Sequence, residues 1–385
     1  MALTRVAIIG LSSSTANSWS SFAHLAYLLS PQGRARYSIA ALCNSSVDAA
    51  QSAIKKYNLD PATKAYGSPE DLARDKDIDL VVCCTRVDKH YETILPSVKA
   101  GQNVFVEWPL ANGLTKVEDL VEQAKKSGSR TVIGLQSRYA PIILKVRELV
   151  SQGRVGKLVS SEVLSDGGET FYRSHVAPQR LYLTDLSYGG NFFHIGLGHL
   201  LDEVEFVLGD IQDVYSRLHK QHPAVEVRDR QTKEVLDTVQ TNVPDLILLN
   251  GTLPQSDYVN QGATVHMRFR SGNPFPGEPS LTWLFTGEKG EILVRAEKDS
   301  TLGQFAYDGP VTLQVRDFAT NKVEKVAWEW EEWQKELPMP AWNVGAGYEA
   351  YAKGEDVPSF EVALKRHQEL DAILSNWEGG KNRSL

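Results

Sequence analysis

Two groups of residues in this 385-residue chain have the types and spacing for chemistry. The first is Tyr188-Gly-Gly-Asn-Phe-Phe-His194-Ile-Gly-Leu-Gly-His199-Leu-Leu-Asp202. Histidine titrates nearest neutrality, so His199 or His194 could pass a proton to or from a substrate oxygen. Asp202 follows His199 by three residues, about one helical turn. The competing reading is a helical histidine packed against Phe or Trp. The second group is Gly10-Leu-Ser-Ser-Ser-Thr-Ala-Asn17, directly after the apolar run Arg5–Ile9. Small residues between a strand and a helix let backbone N–H groups approach a dinucleotide pyrophosphate, and the helix N-terminus adds a favourable dipole. Gly10, Ser12, Ser13, Thr15 and Asn17 are the candidates for that role. Only Gly10 is a glycine, so a plain polar turn capping a helix is the alternative.

Smaller features bear on the ligand. The second apolar run ends Ala41-Leu-Cys-Asn44-Ser45-Ser46, with no Asp or Glu to bond a ribose 2′-hydroxyl and no nearby arginine to clamp a 2′-phosphate. Asn44 and Ser45 could serve NAD or NADP, with a slight lean to NADP. Phe171-Tyr-Arg-Ser-His175, with Arg180 and Tyr182, could wall a sugar or aryl substrate, or form an exposed loop. His219 and His222 have no cysteine or second pair nearby, so no metal site is expected. Cys43, Cys83 and Cys84 fall in apolar runs, which suits a reducing compartment rather than a disulfide framework.

These residues need a scaffold, and the first 135 residues alternate in a way that supplies one. Apolar runs at 5–9, 37–43, 80–84, 103–107 and 131–135 read as strands buried on both faces. Helical patterns at 19–29, 47–57, 69–74, 89–100 and 115–126 lie between them. The alternation predicts a doubly wound parallel sheet with its ligand crevice at the strand C-terminal ends. After a helix at 141–152, strands at 157–164, 264–269, 280–285, 291–295, 311–315 and 322–328 predict an open, mostly antiparallel sheet with helices on one face. The fold class is thus α/β plus α+β, with domains at 1–138 and 139–385 and a C-terminal helix that could return to the first domain. The polar segment 219–243 reads as loop-rich. Trp-Glu-Trp-Glu-Glu-Trp at 328–333 reads as an edge strand, with a partner surface as the minority alternative.

Cys84-Thr-Arg-Val-Asp-Lys-His90, then Ala100-Gly-Gln-Asn-Val-Phe-Val-Glu-Trp-Pro109, resembles the Gfo/Idh/MocA oxidoreductases. In that family a strand ends in Glu-Lys-Pro and the lysine takes part in proton transfer; here the tripeptide is Glu107-Trp108-Pro109. An indole offers one neutral donor and a stacking face where an ammonium could protonate a substrate oxygen. His199 matches the family histidine, while Ile195 stands four before it in place of the family aspartate; His194, one place off, could fill in through a local bulge. The galactose-repressor-like branch fits further, through Leu135-Gln136-Ser-Arg138, Glu148–Gly156, the spacing from Asp185 to His199, and Val243–Leu253. The resemblance implies a nicotinamide dinucleotide held by the turn residues with Thr85, His90, Glu107, Trp108 and Gln136. It implies proton transfer by His199, assisted by His194, Tyr182 or Asp185.

Three functions follow as expectations. One is an NAD(P)-dependent oxidoreductase acting on a small sugar-like or aromatic carbonyl or alcohol. Another is a non-catalytic, dinucleotide-binding regulator with a protein partner; the weakest is an isomerase in the same pocket. Lys+Arg of 41 against Asp+Glu of 48 gives a net charge of −7, which argues against sequence-independent nucleic-acid binding. The opening MALTRVAIIG leads straight into a strand pattern, so a cytoplasmic protein without a leader is expected, nuclear if a regulator. No apolar run is long enough for a membrane span. A homodimer or higher oligomer through the second sheet is expected, since an exposed apolar sheet is normally covered.

Overall fold

The computed structural model describes residues 3–14, 18–167, 175–303, 309–378 and 381–382. The chain divides into two compact units, Met1–Gln136 with Glu331–Gln368, and Ser137–Trp330 with Glu369–Leu385.

The first unit holds a six-stranded, all-parallel sheet in the order β3-β2-β1-β4-β5-β6. Its strands are β1 (Thr4–Ile9), β2 (Tyr37–Cys43), β3 (Lys64–Tyr66), β4 (Leu80–Cys83), β5 (Asn103–Glu107) and β6 (Thr131–Gly134). Every residue of β4 and β6 is buried, as strands covered on both faces must be. The order reverses at β1, which pairs with β2 on one side and β4 on the other. A Rossmann sheet binds its ligand at that switch point. The core beside β1 and β2 includes Tyr27 and Tyr37, together with Ala341, Val344 and Tyr348 of the helix Pro340–Lys353.

The second unit is built on an eight-stranded sheet whose one parallel pair is β7 (Leu158–Asp166) with β13 (Val259–Arg270). Around them lie β8 (His175–Val176), β9 (Gln212–His219), β10 (Ala224–Arg228), β11 (Val235–Gln240), β12 (Leu246–Thr252), β14 (Leu281–Gly287), β15 (Gly290–Ala296), β16 (Val311–Asp317) and β17 (Val323–Lys325). β8, β10 and β11 form a separate three-stranded sheet. Burial alternates along β14 and β15, so one face is packed and the other open. On the packed face Phe192 stacks on Phe269 at 4.4 Å, and Trp283 donates its indole N–H to Ser161 Oγ at 2.9 Å.

Two expectations are corrected. Segment 219–243 is not loop-rich, because β10 and β11 pair as an antiparallel hairpin. Val225 and Val227 are buried between charged neighbours, a period-two pattern too short to stand out in a polar stretch. Trp328–Trp333 is not an edge strand: β17 ends at Lys325 and Glu332–Lys335 is helical. The Glu331 side chain accepts from the third helical N–H while Gln334 Oε1 accepts from the Glu331 N–H at 3.0 Å. That capping box starts a helical turn where the alternating pattern suggests a strand. Trp333 meets the edge of Tyr27 at 5.8 Å.

Candidate functional site

In the first unit the turn after β1 is shaped by contacts that only a glycine permits. Gly10 has φ +93°, and a Cβ there would lie 2.9 Å from Thr85 Cγ2 and 3.1 Å from the Cys84 carbonyl. Tyr57 donates to the Ser12 carbonyl and Lys56 to the Ser13 carbonyl, each at 2.9 Å. Asn44 donates its amide to the Leu11 carbonyl at 2.8 Å, tying the end of β2 to the turn. Between them opens a cleft of about 540 Å³, lined by six of the expected residues: Gly10, Ser12, Ser13, Asn44, Ser45 and Thr85. Thr15 and Asn17 lie outside the described residues. Ser14, inside the expected turn, also lines the cleft, as do Gly67, Lys89 and Thr93, which were not among the expected residues. Lys89 sits in the helix Val87–Lys99 just after the β4 turn, so the strand–turn–helix spacing carried its signal.

The other expected cofactor residues play varied parts. His90 is buried, with Nδ1 2.9 Å from the Pro109 carbonyl and Nε2 2.8 Å from the Thr85 carbonyl. Its ring bridges the turns after β4 and β5, and burial lowers its pKa. Glu107 ends β5 and holds His24 Nε2 at 2.7 Å, a partner the sequence reading missed inside an apolar helix pattern. Trp108 is 4% exposed, its ring 4.7 Å from that of His367. Gln136 is buried, with Oε1 lacking a hydrogen-bond partner among the described residues. A close-approach glycine, a small-residue cleft and an orphaned amide oxygen fit a dinucleotide.

In the second unit the histidine segment breaks α-helical geometry. Phe192–Leu197 is a π-helix that continues as the α-helix Gly198–Leu208. A π turn absorbs one extra residue. The five-residue spacing from His194 to His199 therefore occupies the place of a four-residue spacing in an α-helix. Asn191 caps this segment, its Oδ1 accepting from His194 N–H and lying 3.1 Å from His194 Nδ1. Burial pushes His194 and His199 each down to about 4, Asp202 opposing the shift at His199. His199 Nδ1 is buried and has no hydrogen-bond partner among the described residues.

The neighbours divide into structural and open roles. Asp202 takes a bidentate grip from Arg138, at 2.8 Å and 2.6 Å. Glu203 accepts from the Leu302 N–H, and burial pushes it up to about 8. Asp185 caps Ser187 N–H at 2.9 Å and accepts from Asn242, bonds that hold its pKa low. Tyr182 is half-buried, 6.4 Å from the Tyr188 ring. Of the proposed aromatic and basic wall, residues 171–174 lie outside the described residues; His175 and Arg180 are exposed. His222 Nδ1 pairs with Asp245 at 2.6 Å, and the described residues hold no metal-ligating cluster. Among the described residues no helix is long and apolar enough to cross a membrane.

Residues 4–135 match the family described as "Oxidoreductase family, NAD-binding Rossmann fold", and residues 141–296 match "Gal80p, C-terminal domain". The chain therefore resembles the Gfo/Idh/MocA oxidoreductases over residues 4–135 and Gal80p over residues 141–296. The chain is 29% identical to Dehydrogenase aclE of Aspergillus oryzae over 98% of its own length and 97% of that protein. It is 28% identical to the galactose/lactose metabolism regulatory protein GAL80 of Saccharomyces cerevisiae over 70% of its length, spanning 61% of that protein. A super-repressor mutant of Gal80p from S. cerevisiae shares its fold, with a TM-score of 0.84 at 22% identity over 97% of this chain and 96% of that one.

Proposed function

We propose that this protein is an NAD(P)-dependent oxidoreductase that moves hydride between a nicotinamide and a small sugar-like or aromatic alcohol or carbonyl. The observation that carries this is the cleft at the ends of β1, β2 and β4, with Gly10 opening it and Ser12, Asn44 and Thr85 on its walls. When bound, the dinucleotide supplies a hydride acceptor or donor at its nicotinamide C4. His199 is the proton carrier of this reading, with His194 in the place of the family aspartate. Asp185 acts as a structural cap and Tyr182 as a substrate-side neighbour. Lys89 is the one cation lining the cleft among the described residues, and no carboxylate lines it, which favours NADP over NAD.

Ser12→Phe tests the site by filling the cleft. NADH and NADPH affinity, followed by nicotinamide fluorescence, should fall at least about tenfold, ~1.4 kcal/mol. Undiminished affinity in that variant sinks the assignment, and a clear preference for NADH in the wild type sinks the NADP lean.

A second reading is a dinucleotide-binding regulator acting through a protein partner, supported by the match of residues 141–296 to the Gal80p C-terminal domain. Dinucleotide binding without turnover across a panel of sugars and aromatic alcohols would favour it. Homodimerisation through the open sheet face is part of either reading. Leu164, Leu284 and Leu293 lie on cross-strand neighbours there, and light scattering at a single chain mass would exclude it.

A further inference from the structure

The buried chain Glu107–His24–Tyr348 has no part in hydride or proton transfer as described, yet it fixes the place of an acidic side chain. His24 and Tyr348 are wholly buried and Glu107 nearly so. Tyr348 Oη lies 2.9 Å from His24 Nδ1, and His24 Nε2 lies 2.7 Å from Glu107 Oε1. Burial raises the Tyr348 pKa well above the ordinary phenol value, so the hydroxyl keeps its proton. A buried hydroxyl must donate, and His24 Nδ1 is its acceptor. The imidazole hydrogen is thereby placed on Nε2, where it donates to Glu107. A carboxylate accepts that bond best when ionised. The rings of Tyr27, Tyr37 and Phe105 pack around Tyr348 at 5.2 Å and hold the chain in place. Gly134 makes room for the carboxylate, since a Cβ there would stand 2.9 Å from it.

Glu107 closes β5, across the switch point from the cleft lined by Asn44 and Ser45 at the end of β2. In a doubly wound sheet each half carries one nucleotide, so the β4-β5-β6 half takes the nicotinamide. The oxidised ring carries a positive charge and the reduced ring none; a fixed carboxylate in low-dielectric surroundings acts on that difference alone. We propose that Glu107, held in place by His24 and Tyr348, makes this protein bind the oxidised dinucleotide in preference to the reduced one. The inference rests on the dinucleotide reading above and adds a preference for redox state to it.

The test measures dissociation constants of the full chain for the oxidised and reduced forms of NADP and NAD, by calorimetry, in the wild type, Glu107→Gln and Tyr348→Phe. In Glu107→Gln the oxidised form should weaken about tenfold while the reduced form stays within about twofold. Tyr348→Phe keeps the ring stack and loses only the hydroxyl, so it should shift the ratio the same way by about threefold; it decides the matter if Glu107→Gln fails to fold. A ratio of oxidised to reduced affinity unchanged in these variants overturns the proposal. Failure of the wild type to bind either form overturns the dinucleotide reading itself, a separate result.

Discussion

At His199 the imidazole is buried and lowered to about 4, so at neutral pH it is a base rather than an acid. A neutral imidazole with a bare Nδ1 suits taking a proton from an alcohol. That is the oxidative direction, for which an oxidised dinucleotide is the co-substrate. His199→Ala should therefore lower alcohol oxidation by about 10²-fold or more while leaving dinucleotide affinity within about twofold. Kinetics and fluorescence titration on the same preparation check both halves, and full activity in the variant would end the catalytic assignment. Trp108 shows why the family lysine has no simple substitute here. It is buried against His367, and an ammonium in its place would be desolvated without an assured partner.

The helix Gly198–Leu208 is buried almost all round, so each acid on it needs a partner. Arg138 serves Asp202, the Leu302 N–H serves Glu203, and the Ile211 N–H serves Glu205. Arg138→Leu leaves Asp202 buried without its bidentate partner and should cost about 3–5 kcal/mol, read as a lower denaturation midpoint with unchanged slope. A loss below about 1 kcal/mol would show that other groups satisfy Asp202. The same element marks how far sequence carries. β4 and β5 were legible because two-sided burial writes a continuous apolar run. β3 was not, being short and polar at a sheet edge. The π turn left no pattern, because the extra residue is a backbone property; it could only be anticipated as a bulge from the five-residue gap between histidines. His24 stayed hidden for another reason: its partners lie 83 and 324 residues away, beyond any local periodicity.

For the whole molecule these buried groups set the dependence of stability on pH. His194 and His199 sit near 4 in the folded chain against an ordinary 6.5, and His90 is also lowered. Between pH 4 and 6.5 the unfolded chain binds protons that the folded one refuses, so stability rises with pH across that window. Glu203 works the other way, at about 8 against an ordinary 4.5. Between pH 4.5 and 8 the folded chain holds a proton that the unfolded one has released, so this residue removes stability as pH rises. Below 6.5 the histidines outnumber it; above 6.5 they are neutral in both states and Glu203 leads the decline. Asp166, raised by burial, acts in the same sense, and the thiols of Cys43, Cys83 and Cys84, also raised by burial, add to it toward the alkaline end. Carboxylates held low by partners, such as Asp75, Asp79 and Asp88, are ionised in both states above about pH 5 and leave the profile there unaltered. The melting temperature should therefore peak near pH 6.5 and decline toward pH 8. In Glu203→Gln the decline between pH 6.5 and 8 should flatten while the acid limb remains, because the amide keeps an acceptor for Leu302 without a proton to lose. Scanning calorimetry from pH 5 to 8.5 on both proteins decides it, and an identical alkaline decline in the variant would mean that another group releases the proton.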